Sequence, residues 1–518
     1  MKKFPSRYTL FFFLLLTGLL LSDFAGCSQG SSQKEQSPIE IPKTESSTKA
    51  DSGITAEKAH ESAPEEALLH EPLKTPEEPT GTEPLPESEL VQEAPTTIER
   101  TPEFSDTPPS NCPAFVPGND PKFASLKKQI SSRLSSSVSS SAPSGAAVAI
   151  VLNGKLLSVA GLGSRAKTGY PEAGKKVDKD TLFGIASTSK WVTAAGAMAL
   201  VQQGKLDLKK PVTTYLPDYT ETNGQQNDIT VDNLLKMISG LNNDGGCYIF
   251  SQSASKQPRG CAAMTQPTPE HVLENMFSKK TLQTPPWSHY FNKTANGKPG
   301  KAPWKYSNWG IMLAGRVMEV TSKHRFAKWI KNSVFAAASM CTATFSSKDM
   351  VSTQNYAIGS GRAAADGHCP EPELGNDCRA PWLPNELACP GRNPNGGVRA
   401  SATDLGRFAA FLLGELKGNN RLFSQKIAQQ MLTPLTGRAK ILGSIYGDSY
   451  GYCNFHHVYQ GYHIYSHGGG RPGFGTLFWI IPSENFAVAI INNNGSTNYF
   501  KTEMEYAVRC YLKGQCTP

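Results

Sequence analysis

The residues best suited to chemistry are Ser187 and Lys190, in the run Ser187-Thr188-Ser189-Lys190. A serine hydroxyl is a weak nucleophile until a base takes its proton, and a lysine withdrawn from water has a lowered pKa and can be that base. Spacing alone does not select this pair. The same Ser-x-x-Lys spacing begins at Ser31, Ser46, Ser125, Ser164 and Ser253. Ser187 differs in its setting. It follows the apolar, strand-like run Leu182-Phe183-Gly184-Ile185-Ala186 and opens a helix from Trp191. At a helix start, residues three apart share a face, which sets Lys190 against the Ser187 hydroxyl. Unpaired N–H groups at the same helix start can meet a developing oxyanion. The expected chemistry is acyl transfer to Ser187 followed by hydrolysis. The ordinary alternative is a serine capping a helix beside a surface lysine.

A second serine competes. Gly447-Asp448-Ser449-Tyr450-Gly451 fits Gly-x-Ser-x-Gly, and His467-Gly468-Gly469-Gly470 fits a lipase-type oxyanion loop. In α/β-hydrolases that loop precedes the serine, and an acid lies between serine and histidine. Here the loop follows, and no Asp or Glu lies between Ser449 and His467. The order and composition exclude this reading.

The elements that must hold Ser187 are legible around it. Residues 146–152, then Asn153-Gly154, then 156–160 read as strand, turn and strand. Residues 193–203 form an Ala-rich helix closed by Gly204. Residues 309–321 and 402–416 read as two more apolar helices, and 475–481 and 485–492 as strands joined at Pro482-Ser483-Glu484. Strands at both ends with helices between predict an α+β domain. Its antiparallel sheet combines N- and C-terminal strands flanked by helices, beside a mainly helical subdomain.

At this point the chain resembles a family. Asp180-Thr181-Leu182-Phe183-Gly184-Ile185-Ala186-Ser187-Thr188-Ser189-Lys190 is the first stretch, followed by Gly204-Lys205-Leu206-Asp207-Leu208, Pro211-Val212 and Tyr215-Leu216-Pro217. Ile238-Ser239-Gly240-Leu241 and the run Gly396-Gly397-Val398-Arg399-Ala400-Ser401-Ala402-Thr403-Asp404-Leu405 continue it. Together they resemble the penicillin-binding protein and class C β-lactamase family over residues 146–494. The resemblance implies a Tyr-x-Asn element. Tyr290-Phe291-Asn292 and Tyr306-Ser307-Asn308 both match; the second opens an apolar helix and is chosen. It gives Tyr306 a proton-relay role and Asn308 a hydrogen bond to the acyl side chain. The resemblance also implies a third element, Lys-Thr-Gly or His-x-Gly. Lys167-Thr168-Gly169 precedes the nucleophile and is rejected on order. His467-Gly468-Gly469 fits, with His467 in the place of the family's lysine and the Gly470 N–H completing an oxyanion hole with that of Ser187.

One position departs from the family. Gly468 stands where a hydroxyl residue helps hold the substrate's terminal carboxylate. Arg471 is an alternative source of charge. The candidate substrates are a cell-wall D-amino-acid peptide, a β-lactam and a small ester; Gly468 favours the ester. No metal or cofactor is implied. A catalytically silent, wall-binding lipoprotein is the reading from another class.

The rest of the 518-residue chain bears on location. Lys2, Lys3 and Arg7 precede an apolar run at 10–21, short for a membrane span of about 20 residues. Phe24-Ala25-Gly26-Cys27 resembles a bacterial lipobox, which implies cleavage before Cys27 and acylation of its thiol. Ser28 is not the Asp that retains lipoproteins in the inner membrane, so the expected site is the cell envelope, at an outer membrane facing the periplasm. Residues 28–111 hold 18 Asp and Glu against 6 Lys and Arg and lack an apolar period, which predicts a disordered acidic tether. A flexible chain of that length spans roughly 50 Å, enough to reach a neighbouring wall layer. With the whole chain at +8, residues 112–518 carry about +18. Such a basic domain suits an anionic wall surface as well as solubility. No aromatic-interleaved basic motif points to nucleic acid. Of eleven cysteines, ten remain after Cys27, and an even number in an exported chain predicts disulfides, with Cys510 and Cys516 as near neighbours.

Overall fold

The computed structural model describes residues 113–115, 120–136, 143–169, 172–220, 226–241, 304–359, 393–435, 449–471, 473–494 and 496–517. The leader and tether expected over 1–27 and 28–111, Cys27 included, lie outside these residues. So do Tyr290-Phe291-Asn292, the Gly447-Asp448 pair, and Cys112, Cys247, Cys261, Cys369, Cys378 and Cys389.

β1 (Gly145–Leu152) and β2 (Lys155–Gly163) are antiparallel neighbours. Their link, Asn153-Gly154, takes φ of 52° and 70°, the left-handed pair that a two-residue hairpin of matching twist requires. β5 (Ser449–Tyr450), β6 (Phe455–Tyr459), β7 (Tyr462–Arg471), β8 (Phe474–Ile481) and β9 (Phe486–Asn492) complete a seven-stranded antiparallel sheet in the order β2-β1-β9-β8-β7-β6-β5. Ile490 on β9 pairs with Val148 on one side and Leu477 on the other. The sheet therefore joins both ends of the domain, as the strand pattern predicts. A separate ribbon pairs β3 (Phe183–Gly184) with β4 (Arg399–Ala400).

Both faces of β1 are covered, which is why its sequence is continuously apolar rather than alternating. Ala147, Ala149 and Val151 pack into the larger core with α2 (Ser189–Gln202) and α5 (Ala402–Leu416). Ala146, Val148 and Ile150 face a second core built on α1 (Pro121–Ser136) and α7 (Lys501–Lys513). The larger core continues through the helical part, which holds α3 (Val231–Leu235) and α4 (Asn308–Ser322); α6 (Gln425–Leu432) packs beside α2.

One expectation shifts: α2 starts at Ser189 rather than Trp191, so Ser187 lies in the preceding 3-10 turn, Ala186–Thr188. Phe123, Leu126 and Ile130 of α1, ahead of the stretch that carries the resemblance, are buried on the sheet. β7 runs through the glycines to Arg471, so His467 lies within the strand. A disulfide joins Cys510 and Cys516, and Cys341 is disulfide-bonded as well. Cys453 breaks the expected pairing: it is a buried free thiol.

Candidate active site

Ser187 sits where β3 turns into α2. The Ile185 N–H donates to the Val398 carbonyl (3.0 Å), and the Thr188 N–H returns to the Ile185 carbonyl (3.2 Å). Between them Ala186 takes φ of 47°, a left-handed conformation unfavourable for a residue with a β-carbon. The nucleophile is thus presented on a sharp turn held from outside by Val398, the residue that leads into β4. β7 presses on the same turn. A β-carbon built on Gly469 would lie 2.1 Å from the Ile185 carbonyl oxygen and 3.0 Å from Thr188 Oγ1. Only a glycine lets the two backbones approach so closely.

Lys190, in the first turn of α2, is wholly buried. Its Nζ donates to Ser187 Oγ at 3.0 Å and to the Asn395 carbonyl at 2.5 Å. Asn395 belongs to the short helical turn Asn393–Gly396, which is clipped to α2. Thr193 Oγ1 donates to the Pro394 carbonyl (2.6 Å), and Ser189 Oγ accepts from the Val398 N–H (3.1 Å). Asn395 Nδ2 in turn donates to the Asn308 carbonyl (3.3 Å), linking this turn to the start of α4.

Ser307 caps α4, accepting from the Gly310 N–H (2.9 Å). Its own N–H meets Met237 Sδ (3.2 Å), and the Lys305 N–H donates to the Met237 carbonyl (2.9 Å). This anchoring holds the half-buried Tyr306 with Lys190 Nζ 4.9 Å from its ring centre. The His467 ring lies 6.4 Å from that of Tyr306, 5.3 Å from Phe455 and 6.4 Å from Tyr450. Ser187, Lys190, Tyr306 and His467 are therefore brought together from the turn before α2, α2 itself, the approach to α4 and β7. Gly468 is buried in β7 opposite Leu477, and Gly470 lies exposed opposite Gly475 near the strand's end.

His467 stands at the lysine position of the resemblance without supplying a cation. Burial lowers its pKa to about 3, reinforced by the Lys190 charge and opposed by the Gly468 carbonyl. Burial pushes the Tyr450 phenol well above its ordinary 10 and the Cys453 thiol to about 12, so both stay protonated. Of the rejected motifs, Lys167-Thr168-Gly169 falls outside the named strands, and Ser449 meets His456 Nδ1 (3.3 Å) across β5 and β6. Among the described residues no group of three or more His, Cys, Asp or Glu is placed to hold a metal. Asn395, Thr193 and Ser189 were not singled out from sequence. Lys190 is held by a main-chain carbonyl, and such an acceptor leaves no residue signature; its only trace is the neighbouring Gly396-Gly397-Val398 run.

The β-lactamase family signature matches residues 134–513. The chain belongs to the β-lactamase family. Among the relatives, Protein flp of Staphylococcus aureus is 23% identical over 357 residues, 68% of this chain and 60% of the relative. The chain thus spans about 60% of the length of that relative. A putative penicillin-binding protein, PbpX, of Bacillus subtilis is 26% identical over 344 residues, 66% of this chain and 69% of the relative. The D-amino acid amidase of Ochrobactrum anthropi, solved with D-phenylalanine, superposes with a TM-score of 0.58 at 19% identity. That match covers 76% of this chain and all of the amidase. At that identity the likeness is one of fold, and it agrees with the antiparallel sheet and flanking helices described above.

Proposed function

We propose that this protein is a serine hydrolase that cleaves amide or ester bonds through an acyl-enzyme on Ser187. The observation that carries the reading is the 3.0 Å contact between Lys190 Nζ and Ser187 Oγ, with the amine wholly buried. Lys190 takes the hydroxyl proton as Oγ bonds to the substrate carbonyl carbon. The carbonyl oxygen becomes an oxyanion, met by the N–H groups of Ser187 and Gly470. Collapse breaks the bond to the leaving amine or alcohol, which receives a proton through Lys190 and Tyr306. Water then attacks the acyl ester, gives its proton to the same pair, and frees Ser187.

The substrate class favoured by the relatives is a D-amino-acid compound. One relative is a putative penicillin-binding protein and one structural neighbour a D-amino acid amidase. A cell-wall D-amino-acid peptide suits a basic domain on a long acidic tether; a β-lactam belongs to the same class. A small ester is the second reading, favoured by the missing hydroxyl at Gly468. Cys27 is proposed as the lipid attachment point, placing the enzyme in the cell envelope. Labelling with a fluorescent β-lactam and an activated-ester probe tests the chemistry. Absence of any adduct that depends on Ser187, judged against Ser187→Ala, sinks it. A palmitate analogue incorporated into wild type and equally into Cys27→Ala would remove the anchor.

A further inference from the structure

We propose that the layer formed by α1 and α7 is a docking surface for the anionic headgroups of a lipid bilayer, holding the domain with Ser187 on the side away from the membrane. The surface lies apart from the nucleophile, and the proposal is independent of the hydrolase reading. α1 carries Lys122, Lys127, Lys128 and Arg133 and no Asp or Glu along its 16 residues. α7 packs beside it and adds Arg509 and Lys513. Lys128, Arg133 and Lys513 are exposed, and the other three are half-buried.

The nearby carboxylates do not cancel these charges. Asp120 accepts from the Tyr511 hydroxyl, and Glu505 is paired with Lys501. Glu503, which feels the Arg133 charge, is buried, and burial raises its pKa. Among the described residues none of the six cations makes an ion pair. Neutral groups position them instead. Arg509 Nη1 donates to the Tyr459 hydroxyl (3.2 Å) and Lys513 Nζ to the Gln460 carbonyl (3.3 Å). Lys122 and Arg133 lie over the rings of Tyr511 and Tyr499, 5.7 Å and 5.2 Å from their centres. Such contacts hold a cation in place and leave its charge available to a further anion.

The exposed positions of α1 include Ala124, Lys128, Ser132, Arg133 and Ser135, with no large apolar side chain to enter the acyl chains. The contact is therefore with headgroups, and salt weakens it. β1 sets the direction. Its Ala146, Val148 and Ile150 face the α1–α7 layer, whereas Ala147, Ala149 and Val151 face the core of α2, which follows Ser187. A bilayer against α1 and α7 leaves the nucleophile open on the far side of the sheet. A wall polymer bound there would be held on the wrong side of the sheet for Ser187.

The test measures binding of the full chain to phosphatidylcholine vesicles with and without phosphatidylglycerol. The N-terminal apolar run contributes equally to every variant. Wild type should prefer the anionic vesicles, and high salt should abolish the preference. Lys127→Gln/Lys128→Gln/Arg133→Gln should lower affinity for them by at least about tenfold and leave neutral vesicles unaffected. Lys128→Glu alone, at an exposed position that folding does not depend on, should act in the same direction. Lys205→Gln/Lys209→Gln/Lys210→Gln removes the same charge from exposed positions after α2 and should stay within about twofold of wild type. Equal binding of both vesicles by wild type, or equal loss in the two triple variants, overturns the proposal. So does sedimentation with isolated peptidoglycan in preference to anionic vesicles, lost in the α1 variant. Labelling that depends on Ser187 reads the hydrolase separately and is unchanged in every one of these outcomes.

Discussion

Gly469 leaves the Ile185 carbonyl no room for a β-carbon: an alanine there would place its methyl 2.1 Å from that oxygen. Ile185 opens the turn that carries Ser187, so the clash is transmitted to the nucleophile within two residues. Gly469→Ala should fold, since β7 keeps its pairing with β8, yet lose about 100-fold in kcat, the effect of an ångström-scale misplacement. Ester turnover beside a thermal melt separates the two effects. An alanine variant with full activity would mean that the turn is not held by β7.

Lys190 and Ser187 should fail differently. Ser187→Ala removes the acylated atom and all covalent labelling. Lys190→Met keeps the buried stem but loses the base, and acylation should slow by about 10²–10⁴-fold. Stopped-flow labelling measures it. Unchanged acylation in Lys190→Met would assign the proton to another group.

His467 predicts a particular acid sensitivity. Its folded pKa of about 3 lies below the ordinary 6.5, so between these values the unfolded chain binds the proton that the folded chain refuses. The associated stability is present above about pH 6.5 and is lost as pH falls towards 3. His467→Gln should therefore show a shallower fall in unfolding midpoint across this window than wild type. Parallel curves for the two proteins would contradict a buried neutral imidazole.

The pattern explains part of why the site was legible. Ser187, Lys190, Tyr306 and His467 announce themselves because side-chain chemistry is written in residue type and order. Two interior strands of the sheet, β1 and β9, were legible because alanine, valine and isoleucine cluster at 146–152 and 486–492. α1 was not, because Phe123, Leu126 and Ile130 are diluted by serine and lysine in a helix that buries only one narrow stripe. The length of β7 was hidden by three glycines, which weaken strand propensity but are needed where the strand touches the nucleophile turn. Cys453 was read as a disulfide partner because counting cysteines says nothing of burial.

That thiol yields a fourth expectation. Cys453 is buried, free and pushed up to about 12, so it should resist thiol reagents in the native protein and react on unfolding. Wild type and Cys453→Ala compared by mass after labelling, with and without denaturant, report it. Native-state modification lost in Cys453→Ala would show that this wall of the site opens.

Asp404 supplies the fifth. Its carboxylate is buried and accepts from the Ser401 N–H (3.1 Å) and hydroxyl (2.9 Å) and from the Thr342 N–H (3.2 Å), closing a capping box on α5. Asp404→Ala leaves those donors without acceptors and should destabilise the fold by about 3 kcal/mol. Urea unfolding measures the loss. A change below about 0.5 kcal/mol would mean that the donors find other partners.

β9 lies inside the sheet, between β1 and β8, although among the described strands it is the last to be made. It separates β1, whose Val148 pairs with Ile490, from the strand pair β7 and β8 that backs the nucleophile turn. Lys190 likewise waits for a carbonyl 205 residues downstream. A ribosome releasing this chain in order therefore delivers Ser187, Lys190, Tyr306 and His467 before the keystone that aligns them. A product truncated before β9 would carry Ser187 and Lys190 without the assembled sheet behind them, so the proposed acyl transfer has to wait for β9.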